Sequence, residues 1–252
     1  MAGSTSTWTV AHPEFNWRAA HLIFGQGCHA AFAWGLAHHD EGEDLCLDAL
    51  ISAYDGRVNA EMDSVAQEDI PVTYKKGVDA EVLQDRARSV LQLWLENYDL
   101  TEQPVEIERS FEVPLVNLET GETLPVPLVG VVDAVLKHQG NGAVSIIDWK
   151  TTTRTPGDRE VDESLQLSAY AYWARQAGYG DHKVHTELRY LVAKKEADYQ
   201  PRYGQRTDAD LVRFYRVCEQ VLRGISSGVF IPRRDGNWSC PDCEMRRWCY
   251  EW

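Results

Sequence analysis

Asp133, Asp148 and Lys150 are the residues whose types and spacing could do chemistry, and all three fall in LVGVVDAVLKHQGNGAVSIIDWK, Leu128 to Lys150. Two runs rich in Val, Ile and Leu flank Gly-Asn-Gly, a strong hairpin signal. Strand side chains alternate between faces, so Val129, Val131 and Asp133 share one face, and Val144, Ile146, Asp148 and Lys150 share one face of the next strand. With Gly140 and Asn141 as the turn, position 133 pairs with position 148. Two carboxylates then stand as cross-strand neighbours and repel unless something positive lies between them. A divalent cation answers that need, and the Lys150 ammonium beside it could orient or deprotonate an attacking water. The plain alternative is a salt-bridged strand face in which Lys150 neutralises Asp148, since D-x-K alone is a weak pattern.

The elements around this hairpin follow from periodicity. His29, Phe32, Ala33 and Leu36 share one face of a helix; Leu47, Leu50, Ile51 and Tyr54 mark another, and Leu83, Ala87, Val90, Leu91 and Trp94 a third. DSVAQEDIPVTYKKG reads as a loop. In VEIERSFEVPL, Val105, Ile107, Phe111 and Val113 alternate against Glu106, Glu108 and Glu112, predicting a half-buried antiparallel strand with the glutamates on a solvated face, from which Glu106 or Glu108 could also approach the metal site. TTTRTPGDREVDES is a polar loop in which Thr151, Thr152 and Arg154 could contact phosphate. A helix over Glu163 to Gln176 places Gln166 and Tyr170 on one face, and Val184 to Val192 alternates as a strand. Thr207 with Asp210 forms a capping box for a last helix, with Cys218 on its apolar stripe. The pattern is α/β, a central mixed β-sheet flanked by helices. It reads as one domain over 1–252: a mainly helical part to about 100, a sheet core over 101–200, and a C-terminal helix with a cysteine cluster over 201–252.

The net charge of −14 argues against indiscriminate nucleic-acid binding, but the charge is segregated. Residues 1–182 hold 12 Lys and Arg against 29 Asp and Glu, whereas residues 183–252 hold 13 against 10. A basic surface near Lys194, Lys195, Arg202, Arg206, Arg213, Arg233 and Arg234 could track a phosphate backbone; solvated helix faces are the alternative. No apolar run approaches the ~20 residues of a bilayer span, and the first residues lack the basic and apolar regions of a signal peptide, so a cytoplasmic, intracellular protein without a membrane partner is expected.

GVVDAV, a hairpin, IIDWKT and a helix carrying Gln166 and Tyr170 resemble the RecB-type branch of the PD-(D/E)XK nuclease superfamily, from about Gly25 to the C-terminus. The resemblance implies a metal-dependent active site of Asp133, Asp148 and Lys150, with His29 of FGQGCHAAFAW as a further ligand, the backbone carbonyl of Trp149 completing the set, and Gln166 and Tyr170 beside the active site and the DNA. Val132 stands where the superfamily's name has proline, and Asp148 where glutamate is commoner; both carboxylates bind Mg2+ through oxygen. The activity so implied is an Mg2+- or Mn2+-dependent DNA exonuclease acting on single strands or duplex ends. A structure-selective endonuclease on the same fold, a noncatalytic DNA-binding subunit and a redox sensor are the alternatives. No P-loop occurs in the sequence, so ATP-driven unwinding would need a helicase or recombination partner.

Cys240, Cys243 and Cys249 form a C-x2-C-x5-C cluster at the C-terminus, and six cysteines in an intracellular chain are a poor disulfide framework. Thiolates so close in sequence favour Zn2+ or an iron–sulfur cluster. Among RecB-type nucleases, AddB and the CRISPR-associated exonucleases included, this spacing is similar to the C-terminal part of a 4Fe–4S site. There the fourth cysteine lies well upstream of the histidine. Here no cysteine precedes Cys28, which abuts His29, so the fourth ligand is Cys28, Cys46, a histidine such as His12 or His21, or absent.

Overall fold

The computed structural model describes residues 17–40, 45–138, 143–155, 157, 159–180, 183–194 and 197–229. In chain order the elements are β1 (Arg18–Ala19), α1 (Ala20–Asp40), α2 (Leu47–Gln67), β2 (Val72–Thr73), α3 (Ala80–Asn97), β3 (Glu102–Val113), β4 (Leu128–His138), β5 (Val144–Thr152), α4 (Glu160–Glu163), α5 (Leu165–Gln176), β6 (Lys183–Val192), β7 (Asp198–Thr207) and α6 (Asp208–Ser226). β3 to β7 make a five-stranded sheet in sequential order. It is mixed: β5 and β6 are parallel and the other neighbours antiparallel. The parallel pair requires a crossover, which α4 and α5 supply.

One face of the sheet packs on α1, α2 and α3 through Ala134, Leu136, Ile147, Trp149 and Leu191. The other packs on α5 and α6 through Val132, Val135, Ile146, Leu188 and Tyr190. Ile146 and Ile147 therefore go to opposite layers, as strand alternation requires. Because α1 is apolar on more than one side, it lies inside the helical layer, with Cys28, Ala31, Phe32 and Leu36 fully buried. Two glycines allow that depth: a Cβ on Gly27 would stand 2.6 Å from the Tyr54 ring of α2, and one on Gly35 would stand 2.8 Å from Trp94 of α3. The expected capping box at Thr207 and Asp210 starts α6, and Ser164 caps α5 by accepting the Leu167 amide at 3.1 Å.

Several sequence expectations are corrected. The loop predicted over DSVAQEDIPVTYKKG begins inside α2, which continues to Gln67, and includes β2. The single helix predicted over 163–176 is broken at Ser164 into α4 and α5. The clean alternation of β3 fails: the register slips between Pro104 and Glu106, so Val105 is exposed, and Glu108 takes a positive φ of 47°. Gly140 and Asn141 of the expected turn, and Cys240, Cys243 and Cys249, lie outside the described residues. So do His12, Lys195, Arg233 and Arg234.

Candidate active site

The β4–β5 ladder runs from Lys137↔Val144 to Ala134↔Ile147, the register the hairpin reading requires. The expected pairing of 133 with 148 would be the next step, where the ladder has ended; there the Asp133 carboxylate accepts the Trp149 amide at 2.9 Å and so is tied to the strand that carries Asp148. α1 brings His29 to the same place from far upstream in sequence, with Nδ1 3.3 Å from Asp133 Oδ2.

A third donor comes from β3. Ile107 pairs with Ala134 and Arg109 with Val132, so Glu108 stands opposite Asp133. Its left-handed backbone, costly for a residue with a Cβ, turns the side chain in, and ligand atoms of His29, Glu108 and Asp133 lie within 4.8 Å of one another. Of the two readings the sequence left for Glu108, the structure bears out both: the residue is exposed and its carboxylate nonetheless approaches Asp133 and His29. Nothing in the alternating pattern marks which glutamate turns in, because the bulge and the positive φ decide it.

Asp148 is 1% exposed. Its Oδ2 stands 2.7 Å from the Lys150 ammonium, an ionic contact without the alignment of a directed hydrogen bond. Lys150 Nζ also donates to Gln166 Oε1 at 2.8 Å, and Gln166 Nε2 donates to the Tyr170 hydroxyl at 2.8 Å. The four side chains Asp148, Lys150, Gln166 and Tyr170 therefore form one chain of contacts from the sheet to α5. Trp149 sends its amide to Asp133 and packs its ring 5.6 Å from Phe32.

The titration directions record the crowding of negative charge. Burial, then the charge of Asp133, raises Asp148 to about 6, against the lowering effect of Lys150. Burial, then Asp133, also raises Glu108. For His29 burial works downward, but the hydrogen bond and charge of Asp133, with Asp148 and Glu108, outweigh it and raise the imidazole. The set of imidazole and carboxylates suits a divalent cation that accepts oxygen and nitrogen donors.

Cys28 is fully buried in the helical layer, and burial pushes its thiol far up, which favours a neutral thiol there. Cys46 is exposed ahead of α2, and Cys218 is half-buried against the α5–α6 layer. Arg206, expected on a basic surface, is 3% exposed and lies inside the fold, correcting that reading. Arg213 pairs with Asp210 at 2.9 Å, and Arg202 donates to Gln200 at 3.1 Å. Among the described residues no helix is long and apolar enough to cross a membrane.

A family profile described as the PD-(D/E)XK nuclease superfamily matches residues 13–250. No curated protein matches. Among solved structures, a protein of Eubacterium rectale provisionally described as an exonuclease aligns over 98% of this chain and 93% of its own, at 10% identity and a TM-score of 0.43, too distant to bear on this chain.

Proposed function

Since the chain belongs to the PD-(D/E)XK nuclease superfamily, we propose that it is a metal-dependent deoxyribonuclease, an exonuclease hydrolysing single-stranded DNA or duplex ends. The observation that carries this is the convergence of His29, Glu108 and Asp133 within 4.8 Å, beside an Asp148–Lys150 contact of 2.7 Å. Charges so arranged serve neither packing nor simple binding, because burying and crowding carboxylates costs stability.

His29, Asp133 and Asp148, with the Trp149 carbonyl and Glu108, would hold Mg2+ or Mn2+. When bound, such an ion polarises a phosphodiester and lowers the pKa of water. Lys150, in contact with Asp148 and Gln166, would orient the attacking water and stabilise charge that develops on phosphate. Gln166 keeps that ammonium in place, and Tyr170 supports Gln166 through its hydroxyl. The cysteines Cys240, Cys243 and Cys249 would hold a second centre, a 4Fe–4S cluster or Zn2+, with Cys28 a fourth ligand only if its thiol ionises. That reading rests on their spacing and would be decided by iron, sulfide and zinc analysis of anaerobically purified protein.

The test is degradation of end-labelled linear DNA and of closed circles with Mg2+ or Mn2+. Wild type should degrade linear strands and spare circles, Asp148→Ala and Lys150→Ala should abolish the activity, and Glu108→Gln should raise the metal concentration needed. Cleaved circles would point to an endonuclease. Inactive metal-replete wild type would overturn the nuclease reading.

A further inference from the structure

The role assigned to Gln166 depends on where α5 begins and how that point is held against the sheet. Ser164 caps the helix locally, and what ties the cap to the sheet comes from two strands away. Arg206, on β7, sends its guanidinium under the crossover: Nη2 donates to the carbonyls of Val161 at 2.6 Å, Ser164 at 3.2 Å and Asp162 at 3.3 Å. Nε donates to Ser168 Oγ at 2.9 Å, and Ser168 Oγ donates to the Ser164 carbonyl at 3.0 Å. Nη1 donates to the Gln205 carbonyl at 3.2 Å. The side chain therefore joins the end of α4, the cap of α5 and the first turn of α5. Gly204 lets α4 seat closely on β7, since a Cβ there would stand 2.9 Å from Val161 Cγ2. At the other end of α4, Glu160 accepts from the Tyr190 hydroxyl and from the Gly157 amide. Tyr190 is itself the β6 register partner of Lys150.

Among the described residues no carboxylate stands in salt-bridge contact with Arg206: its hydrogen-bond partners are neutral oxygens, and the Asp210 and Asp162 carboxylates act on its charge only from a distance. That is an expensive arrangement for a packing residue, since an unpaired buried cation loses its hydration. A planar fork with five donors is the side chain that can serve several carbonyls at once, and a lysine cannot reproduce it. Gln166 is the second residue of α5, two positions after the Ser164 cap whose carbonyl Arg206 holds.

We infer that Arg206 is a positioning residue for catalysis: it fixes the start of α5 so that Gln166 meets the Lys150 ammonium. The inference rests on the nuclease reading above. The effect should appear in kcat, because a small misplacement of a group acting in the transition state lowers rate more than binding.

The experiment measures kcat and KM on end-labelled single-stranded DNA for Arg206→Lys, in the wild-type and Gln166→Ala backgrounds, with a thermal unfolding curve for each protein. In the wild-type background kcat should fall about 10- to 100-fold with KM little changed. In the Gln166→Ala background the same substitution should have almost no further effect, because the two act through one contact. Equal losses in both backgrounds, or no loss in the first, would overturn the positioning role while leaving the nuclease reading intact. An inactive wild type would instead overturn the nuclease reading and this role with it. Should Arg206→Lys lose its cooperative transition, Ser168→Ala, which removes one link of the clamp, decides by the same two-background comparison.

Discussion

The site's side chains hold more negative charge than the fold can comfortably carry, and pH exposes this. The Asp148 carboxyl keeps its proton to about 6 in the folded chain, against 3.8 for an ordinary aspartate. Between those values the native state binds more protons than the unfolded state, so stability falls as pH rises. His29, raised above 6.5 by its acidic neighbours, contributes in the same direction: its stabilisation is present at low pH and lost as pH climbs through its folded value. Protein stripped of divalent cations should therefore lose unfolding free energy from about pH 4 through neutrality. Asp148→Asn should flatten the lower part of that curve, and chemical denaturation at stepped pH checks both. Returning Mg2+ at neutral pH, at a hundred times its dissociation constant, should add about 2.7 kcal/mol. A stability that rises with pH in the stripped protein would contradict this account of the site.

Among the elements, α1 does the most demanding work, because it must carry His29 to the sheet from inside the helical layer. Its approach to α2 depends on the missing side chain at Gly27, with the Tyr54 ring standing where a methyl would go. Gly27→Ala improves helix propensity but should still destabilise the protein by about 1–3 kcal/mol, measurable by denaturant titration. It should also weaken metal binding, because His29 lies two residues on. How much of this was legible in the sequence depended on whether local pattern or tertiary contact decided the element. The β4–β5 hairpin, α5 with its Gln166–Tyr170 face and the capped α6 follow from alternation, spacing and capping residues, and all are present. β7 carried no such signal: Pro201 and Gly204 interrupt DYQPRYGQRT, and an edge strand tolerates both. Arg206 looked like surface charge because nothing local reveals that four carbonyls and a hydroxyl await it inside. That Glu106 or Glu108 could reach the site was legible, but not which one, since the choice is set by a register slip three residues before Glu108.

For the molecule as a whole, the three layers divide the labour. The sheet supplies Glu108, Asp133, Asp148 and Lys150, the α1–α3 layer supplies His29, and the α5–α6 layer supplies Gln166 and Tyr170. The site therefore exists only once both helical layers have docked. Away from it, Arg189 is held by Glu102 at 2.6 and 2.7 Å and by Glu187 at 2.8 and 2.9 Å, a buried ion cluster tying β3 to β6. The net charge of −14 keeps the surface predominantly acidic, so DNA should be held by contacts near the site rather than by a general basic field.

The left-handed residue on β3 has another effect, on the company the protein keeps. Among the described residues β3 has a sheet neighbour on one side only, and a straight strand with a free side invites pairing with another molecule. The slip at Pro104/Glu106 and the turn of the backbone at Glu108 spoil that template, and Glu106, Arg109 and Glu112 add charge along it. Glu108→Val, whose branched side chain favours extended backbone, should straighten the strand and make the protein self-associate, seen as a rising apparent mass in light scattering. Glu108→Gly, which accepts the positive φ, should stay dispersed. The conformation that aims a carboxylate inward would then also keep neighbouring molecules apart.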